Sequence, residues 1–199
     1  MVDYLIHFYK KGSKPFRSLS RLPDSAAIQI MSELYVDGAV FWERFKDPLG
    51  YLRIRRQVEK NLREGFVQKG GKPKDEYPVY LMLGRPKWTV DAGDAVSIET
   101  TEEIKVPLRL LPDDQVSFTY PDSMVSAFIL EERNFAYFEP EHHGKVFRLR
   151  EIEAIIEKKG LPGEGWETLM PRHLAHYVEA QVWNHELLDD FYAASRVNE

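Results

Sequence analysis

The chain has 199 residues, a net charge of -5, 43% hydrophobic and 13% aromatic residues, and no cysteine. That length and apolar content suit one globular domain over residues 1–199 with a sizeable core. Without cysteine there is no disulfide framework, thiol nucleophile or cysteine-ligated zinc or iron–sulfur site, and the negative balance argues against a general polyanion binder, so nucleic acid is not the default partner.

The amino terminus, MVDYLIHFYKK, carries an acid where a secretory signal has its basic start, and no apolar run approaches bilayer length. A soluble, cytoplasmic protein with no membrane partner is expected.

In chain order, Tyr4 to Tyr9 reads as a buried strand and Gly12 to Leu22 as a basic loop. Pro23 and Asp24 open a helix with Ile28, Met31, Leu34 and Tyr35 on one face, and Gly38 stops it. A second helix runs from Pro48 to Lys69, where Tyr51, Ile54, Val58, Leu62 and Phe66 form an apolar stripe ended by Gly70 and Gly71.

The period then changes. Tyr77 to Leu83 reads as a buried strand, Ile104, Val106, Leu108 and Leu110 alternate with polar residues, and so do Val116, Phe118 and Tyr120. Ala95 to Ile98, Ala127 to Leu130 and Val146 to Leu149 are shorter strand candidates, before a helix from about Arg150 to Lys159 closed by Gly160. The predicted class is α+β, a single domain with a mainly antiparallel sheet, an early helix pair and a later short helix.

At about 100° per residue, Arg53, Arg56, Lys60 and Arg63 gather on one flank of the second helix. Arg55 instead falls within the apolar stripe and points inward. An inward arginine serves either as the partner of Glu59 one turn later, or as a fork for a carboxylate or phosphate in a partly dry cleft. The basic flank reads as a solvated face.

Several motifs fail or stay open. GFVQKGGK has Gly71 where a phosphate loop needs lysine and closes a helix instead of opening one, so it is a helix stop. His142 and His143 with Glu139 and Glu141, or His173 with His176, offer metal-binding nitrogens and carboxylates, but no four-ligand spacing is present and no metal is assigned. Ser18 and Ser20 in RSLSR offer hydroxyls to an anion or to phosphorylation, and loop polarity accounts for them equally. SFTYPDSM, Ser117 to Met124, either lines a pocket or is a strand running into a turn.

Three of the six histidines lie between Arg172 and Glu186, in PRHLAHYVEAQVWNHELLDDFY. As a helix this tail places His173, His176, Ala180, Trp183, Leu187 and Phe191 on one face. As a strand it sets Glu179, Gln181 and Trp183 opposite Val178, Ala180 and Val182. Both readings stay open.

Through PFRSLSRLP, YLRIRRQVE, KGGKP, VSFTYPD and YVEAQVW the whole chain resembles a family of roughly 200-residue bacterial proteins without an assigned activity. At two short segments, YLIHF and YVEAQVW, it also resembles the ADP-ribosyltransferase-like fold. There a first-strand His or Arg holds NAD and a late-strand glutamate sits at the nicotinamide ribose. That resemblance implies His7 and Glu179 as catalytic residues in one pocket, with NAD as co-substrate, Arg55 or Arg17 on the pyrophosphate and an aromatic on nicotinamide. Phe8 and Tyr9 depart from the small or hydroxylated residues usual after that His. The alternative is a non-catalytic module, or a structural or interaction protein, whose cleft uses Arg55, His176 and Trp183 to hold an acidic small molecule or a partner's peptide.

Overall fold

The computed structural model describes residues 2–37, 42–86, 101–131, 138–162 and 176–196. Within them an antiparallel sheet of five strands carries helices on both faces, as a single α+β domain. The strands are β1 (Tyr4–Lys10), β2 (Val79–Leu83), β3 (Thr101–Pro107), β4 (Val116–Thr119) and β5 (Glu179–Val182), in the order β3-β1-β2-β5-β4. The helices are α1 (Asp24–Leu34), α2 (Pro48–Gln68), α3 (Ser123–Glu131), α4 (Leu149–Lys159) and α5 (His185–Arg196).

Side chains alternate across a strand, so the pairing register decides which residues share a face. Leu5 opposite Leu83 and Val106, Leu81 opposite Ala180, and Ala180 opposite Phe118 build one apolar face. It packs with Ile152 of α4, Leu188 of α5 and Phe16. The other face is polar at its centre: Met82 and Thr119 flank Glu179, and Tyr80 and Ser117 flank Gln181.

α2 covers that polar face. Asp47 caps it by accepting from the Gly50 amide at 3.0 Å, with Pro48 in the first turn, where its missing N–H costs nothing. At the other end the Gly70 and Gly71 amides donate to Val67 and Phe66 carbonyls, both at 2.9 Å, with Gly70 in the left-handed region at φ +82°. A β-carbon on Gly71 would sit 2.6 Å from the Phe66 ring, so only glycine lets the chain turn this tightly beneath it. Phe66 and Leu62 then pack on Trp183 and Val146, while Tyr51 and Leu52 join Ala27 and Met31 of α1 in a second cluster.

Several sequence expectations need correction. Ala127 to Leu130 belongs to α3, because Asp122 accepts from the Val125 amide at 2.8 Å and starts a helix directly after the turn that ends β4. The alternation through Leu110 stops as a strand at Pro107, and residues 108–110 form a 3-10 turn. Val146 to Leu149 contributes one isolated bridge, Phe118 to Phe147, before α4 begins at Leu149. The tail is strand from Glu179 to Val182 and helix from His185; Asn184 accepts from the Leu187 amide at 3.3 Å. Ala95 to Ile98, Gly38 and His173 lie outside the described residues. No helix among the described residues is long and apolar enough to cross a membrane.

Candidate functional site

His7 and Glu179 do not share a face. Ile6 pairs with Met82 and Met82 with Glu179, so Ile6 and Glu179 lie on the polar side and His7, the next residue, on the apolar side. The expectation of one pocket bordered by both is therefore corrected by the register.

Both His7 nitrogens are engaged. Nδ1 lies 2.9 Å from the Tyr80 carbonyl, and Nε2 accepts from the Phe16 amide at 3.0 Å, which fixes the neutral tautomer with its proton on Nδ1. Phe16 has a φ of 59°, an uncommon conformation for a bulky residue, held by this bond and by an edge-on contact with Tyr192. Burial lowers the His7 pKa from 6.5 to about 4, although its bond to Tyr80 acts in the opposite direction.

A titration consequence follows from that depressed value. Between pH 6.5 and 4 the unfolded chain takes up a proton that the folded chain refuses. The His7 contribution is therefore full above pH 6.5 and lost as pH falls toward 4, by on the order of 3 kcal/mol in total. Chemical denaturation across this range is expected to fall more steeply for the wild type than for His7→Gln; parallel curves would contradict it.

Arg55 points inward. Its side chain is 11% exposed against 28% for Arg56, and Arg53 lies on the open surface. Nε donates to Glu59 Oε1 at 3.1 Å, Nη1 donates to the Tyr51 hydroxyl at 2.8 Å, and the guanidinium carbon stands 4.1 Å from the Tyr80 ring centre. Burial pushes the Glu59 carboxyl above the usual carboxylate range; the Arg55 charge and the nearby Ser20 and Tyr80 hydroxyls pull it only part of the way back. The arginine thus ties α2 to the sheet.

Next to this pair runs a chain of hydrogen bonds across β4 and β5. The Trp183 indole donates to Ser117 Oγ at 2.8 Å, Ser117 donates to Gln181 Oε1 at 2.9 Å, and Gln181 Nε2 donates to Thr119 Oγ1 at 3.2 Å and Glu179 Oε2 at 3.1 Å. Each donor fixes the next group's orientation, so the Gln181 amide has one setting. Glu179 Oε2 also accepts from the amide of Ser123 at 3.2 Å and from its hydroxyl at 2.5 Å, at the first turn of α3. Asp122, one residue earlier, accepts from the Val125 amide on Oδ1 and from the Tyr177 hydroxyl at 2.7 Å on Oδ2.

Two carboxyls thus meet at one helix start. Burial, then the negative charge of Asp122, pushes the Glu179 carboxyl well above the usual carboxylate range, against the hydrogen bond from Ser123. A carboxyl raised in this way gives up its proton less readily than an ordinary surface glutamate, a property found at sites that handle protons or charge.

An open cleft of about 390 Å3 reaches this place between α2 and α3. Thr119, Ser123 and Ser126 form its floor, Val58, Leu62 and Val146 its apolar walls, and Asn61, Gln68, Lys69 and Lys145 its polar margin. Thr119 and Ser123 come from SFTYPDSM, one of the stretches singled out by sequence. Gly65 permits the close fit, since a β-carbon there would lie 2.9 Å from Val146.

The remaining sequence candidates lie away from the cleft lining. Trp183 is fully buried, stacked 6.4 Å from Phe66, and His176 is buried just before β5. Arg17 is exposed on the loop before residues 19–21. His142 Nδ1 lies 2.9 Å from Glu139 Oε2, and His143 Nδ1 accepts from the Glu139 amide at 2.8 Å, so both rings close their own turn. Among the described residues no group of three or more histidines and acids could hold a metal. Asp122 and Ser123 carried no separate signal beyond the Pro-Asp turn.

Comparisons of the chain with protein-family models, with curated proteins and with solved structures find no match.

Proposed function

We propose that the chain binds a small hydroxylated anion in the cleft between α2 and α3, with Glu179 as the titratable group beneath it. One observation carries this reading: an open cavity, a helix start and a carboxyl held above its ordinary range converge at Ser123. Ligand sites combine apolar walls with a few placed polar groups, and the cleft falls in the usual size range.

Its chemistry names the ligand class. Thr119, Ser123 and Ser126 suit hydroxyl groups, Asn61 and Gln68 add amides, and Lys145 favours negative charge at the margin, where Lys69 is already paired with Glu151 at 2.6 Å. Nucleotides and sugar phosphates supply both chemistries. NAD belongs to the same class, and the resemblance at YVEAQVW makes it the first probe. Arg55 and Trp183 serve this reading as supports that fix Glu59 and Ser117, without touching the ligand.

A second reading, turnover of NAD, is favoured by Glu179 and Gln181 lying side by side on the face below the cleft. A carboxylate there would stabilise positive charge developing on a ribose once Ser123 gave way. His7 has no part in it.

Thermal unfolding with NAD, mononucleotides, sugar phosphates and organic acids tests the proposal. A true ligand at one hundred times its Kd is expected to add about 2.7 kcal/mol of apparent stability. Ala127→Phe, which fills the cleft from α3, is expected to abolish the shift and leave the unliganded midpoint in place. No shift with any probe, or a shift that persists in Ala127→Phe, would overturn it.

A further inference from the structure

The outer flank of α2 carries a second, separate cavity. Arg53, Arg56, Lys60 and Arg63 line an open groove of about 500 Å3 together with Tyr77. A solvated basic face has loose side chains, each free to follow water. Two of these four are fixed instead.

Arg56 donates from Nε to the Ser20 carbonyl at 3.3 Å, from Nη2 to the Leu22 carbonyl at 3.0 Å and from Nη1 to Asp24 at 2.6 Å. Arg63 donates from Nε to the Asp75 carbonyl and from Nη2 to the Pro73 carbonyl, both at 3.3 Å. Carbonyls hold a guanidinium without cancelling its charge, so Arg63 keeps a full positive charge and free N–H bonds in a set orientation. Arg53 and Lys60 are exposed on the same flank, and neither enters an ion pair or side-chain hydrogen bond among the described residues.

The acids limit what can bind. Asp24 offsets Arg56, and Glu64 and Glu76 line the groove beside the basic residues, Glu76 next to the Tyr77 hydroxyl. A long polyanion following the helix would meet those carboxylates and a chain of net charge -5. A compact, multiply charged anion has to satisfy only the cations it touches, and its charge density strengthens each of those contacts. Lys60 and Arg63, three residues apart on the helix, stand about 5 to 6 Å apart at their β-carbons, close enough for two neighbouring phosphoryl groups to meet separate cations.

We infer that this groove is a binding site for a small molecule bearing two or more phosphate groups, held by Arg53, Lys60 and Arg63. The site is independent of the cleft between α2 and α3, which lies on the other side of the helix stripe.

Titration calorimetry with pyrophosphate and with ATP tests it on the full chain. Both are expected to bind, more weakly as salt rises. The double variant Arg53→Ala/Lys60→Ala is expected to raise Kd about tenfold or more, through lost charge-assisted contacts, with an unchanged unfolding midpoint because neither side chain is packed. Ala127→Phe, which blocks only the cleft, should leave pyrophosphate binding intact. Absence of binding, or equal affinity in the double variant, would overturn the inference. So would loss of pyrophosphate binding in Ala127→Phe, or tighter binding of a short single-stranded oligonucleotide than of ATP at physiological salt.

Discussion

Replacing Phe66 by alanine is expected to lower the unfolding free energy by about 3 to 5 kcal/mol. The ring is fully buried between α2 and the sheet, stacked on Trp183 and packed with Leu62 and Val146, and it also forms the ceiling over Gly71. Its removal loses apolar burial and leaves a void that the surrounding backbone cannot fill, because Gly70 and Gly71 are already held by amides donated to Val67 and Phe66. For a chain of this size the midpoint should fall by roughly 10 °C. A change of less than about 1 kcal/mol, well below the usual range for such truncations, would mean that α2 does not lie on the sheet as described.

The second large effect belongs to Glu59. This carboxylate has 0% exposed side chain and, among the described residues, is the only acid bonded to Arg55, itself 11% exposed. Glu59→Ala leaves a guanidinium in a nearly dry layer with the Tyr51 hydroxyl and the face of the Tyr80 ring as its remaining partners among the described residues. Breaking a buried pair from one side is expected to cost about 3 to 5 kcal/mol.

Replacing both partners, Arg55→Met with Glu59→Leu, removes the charge as well as its partner and is expected to recover most of that loss. Denaturant midpoints of the single and double variants measure the difference. A double variant as unstable as Glu59→Ala would show that packing, and not the stranded charge, is responsible.

The same helix was legible in sequence for a physical reason. The spacing of Tyr51, Leu62 and Phe66 sets a helical period, and the same angular count turns Arg55 inward and Arg53 outward. β1 and β4 were legible by composition and alternation. α3 was not: in SMVSAFILE the apolar residues run together as Met124–Val125 and Ala127–Leu130, so no period separates a helix from a strand. Its start signal, Asp122 after Pro121, reads equally as a turn. The tail combined both alternatives because Asn184 caps a helix immediately after a strand of four residues.

The site divides along the same line. Glu179 and Gln181 on one face follow from alternation within a single strand. The side on which His7 falls depends on register through β2, and a shift of one residue reverses it. No local pattern in YLIHF encodes that register. The pairing of Asp122 with Glu179 likewise joins residues distant in sequence, brought together only when β4 and β5 align at Thr119 opposite Glu179.

The most direct measurement is a map of amide chemical shifts during titration with the probe that gives the largest thermal shift. If the cleft between α2 and α3 is the ligand site, the largest changes are expected at Thr119, Ser123, Ser126 and Gly144, all lining it, with His7 and Phe16 on the far side of the sheet unmoved. Largest changes at His7 and Phe16, with Ser123 silent, would contradict the assignment.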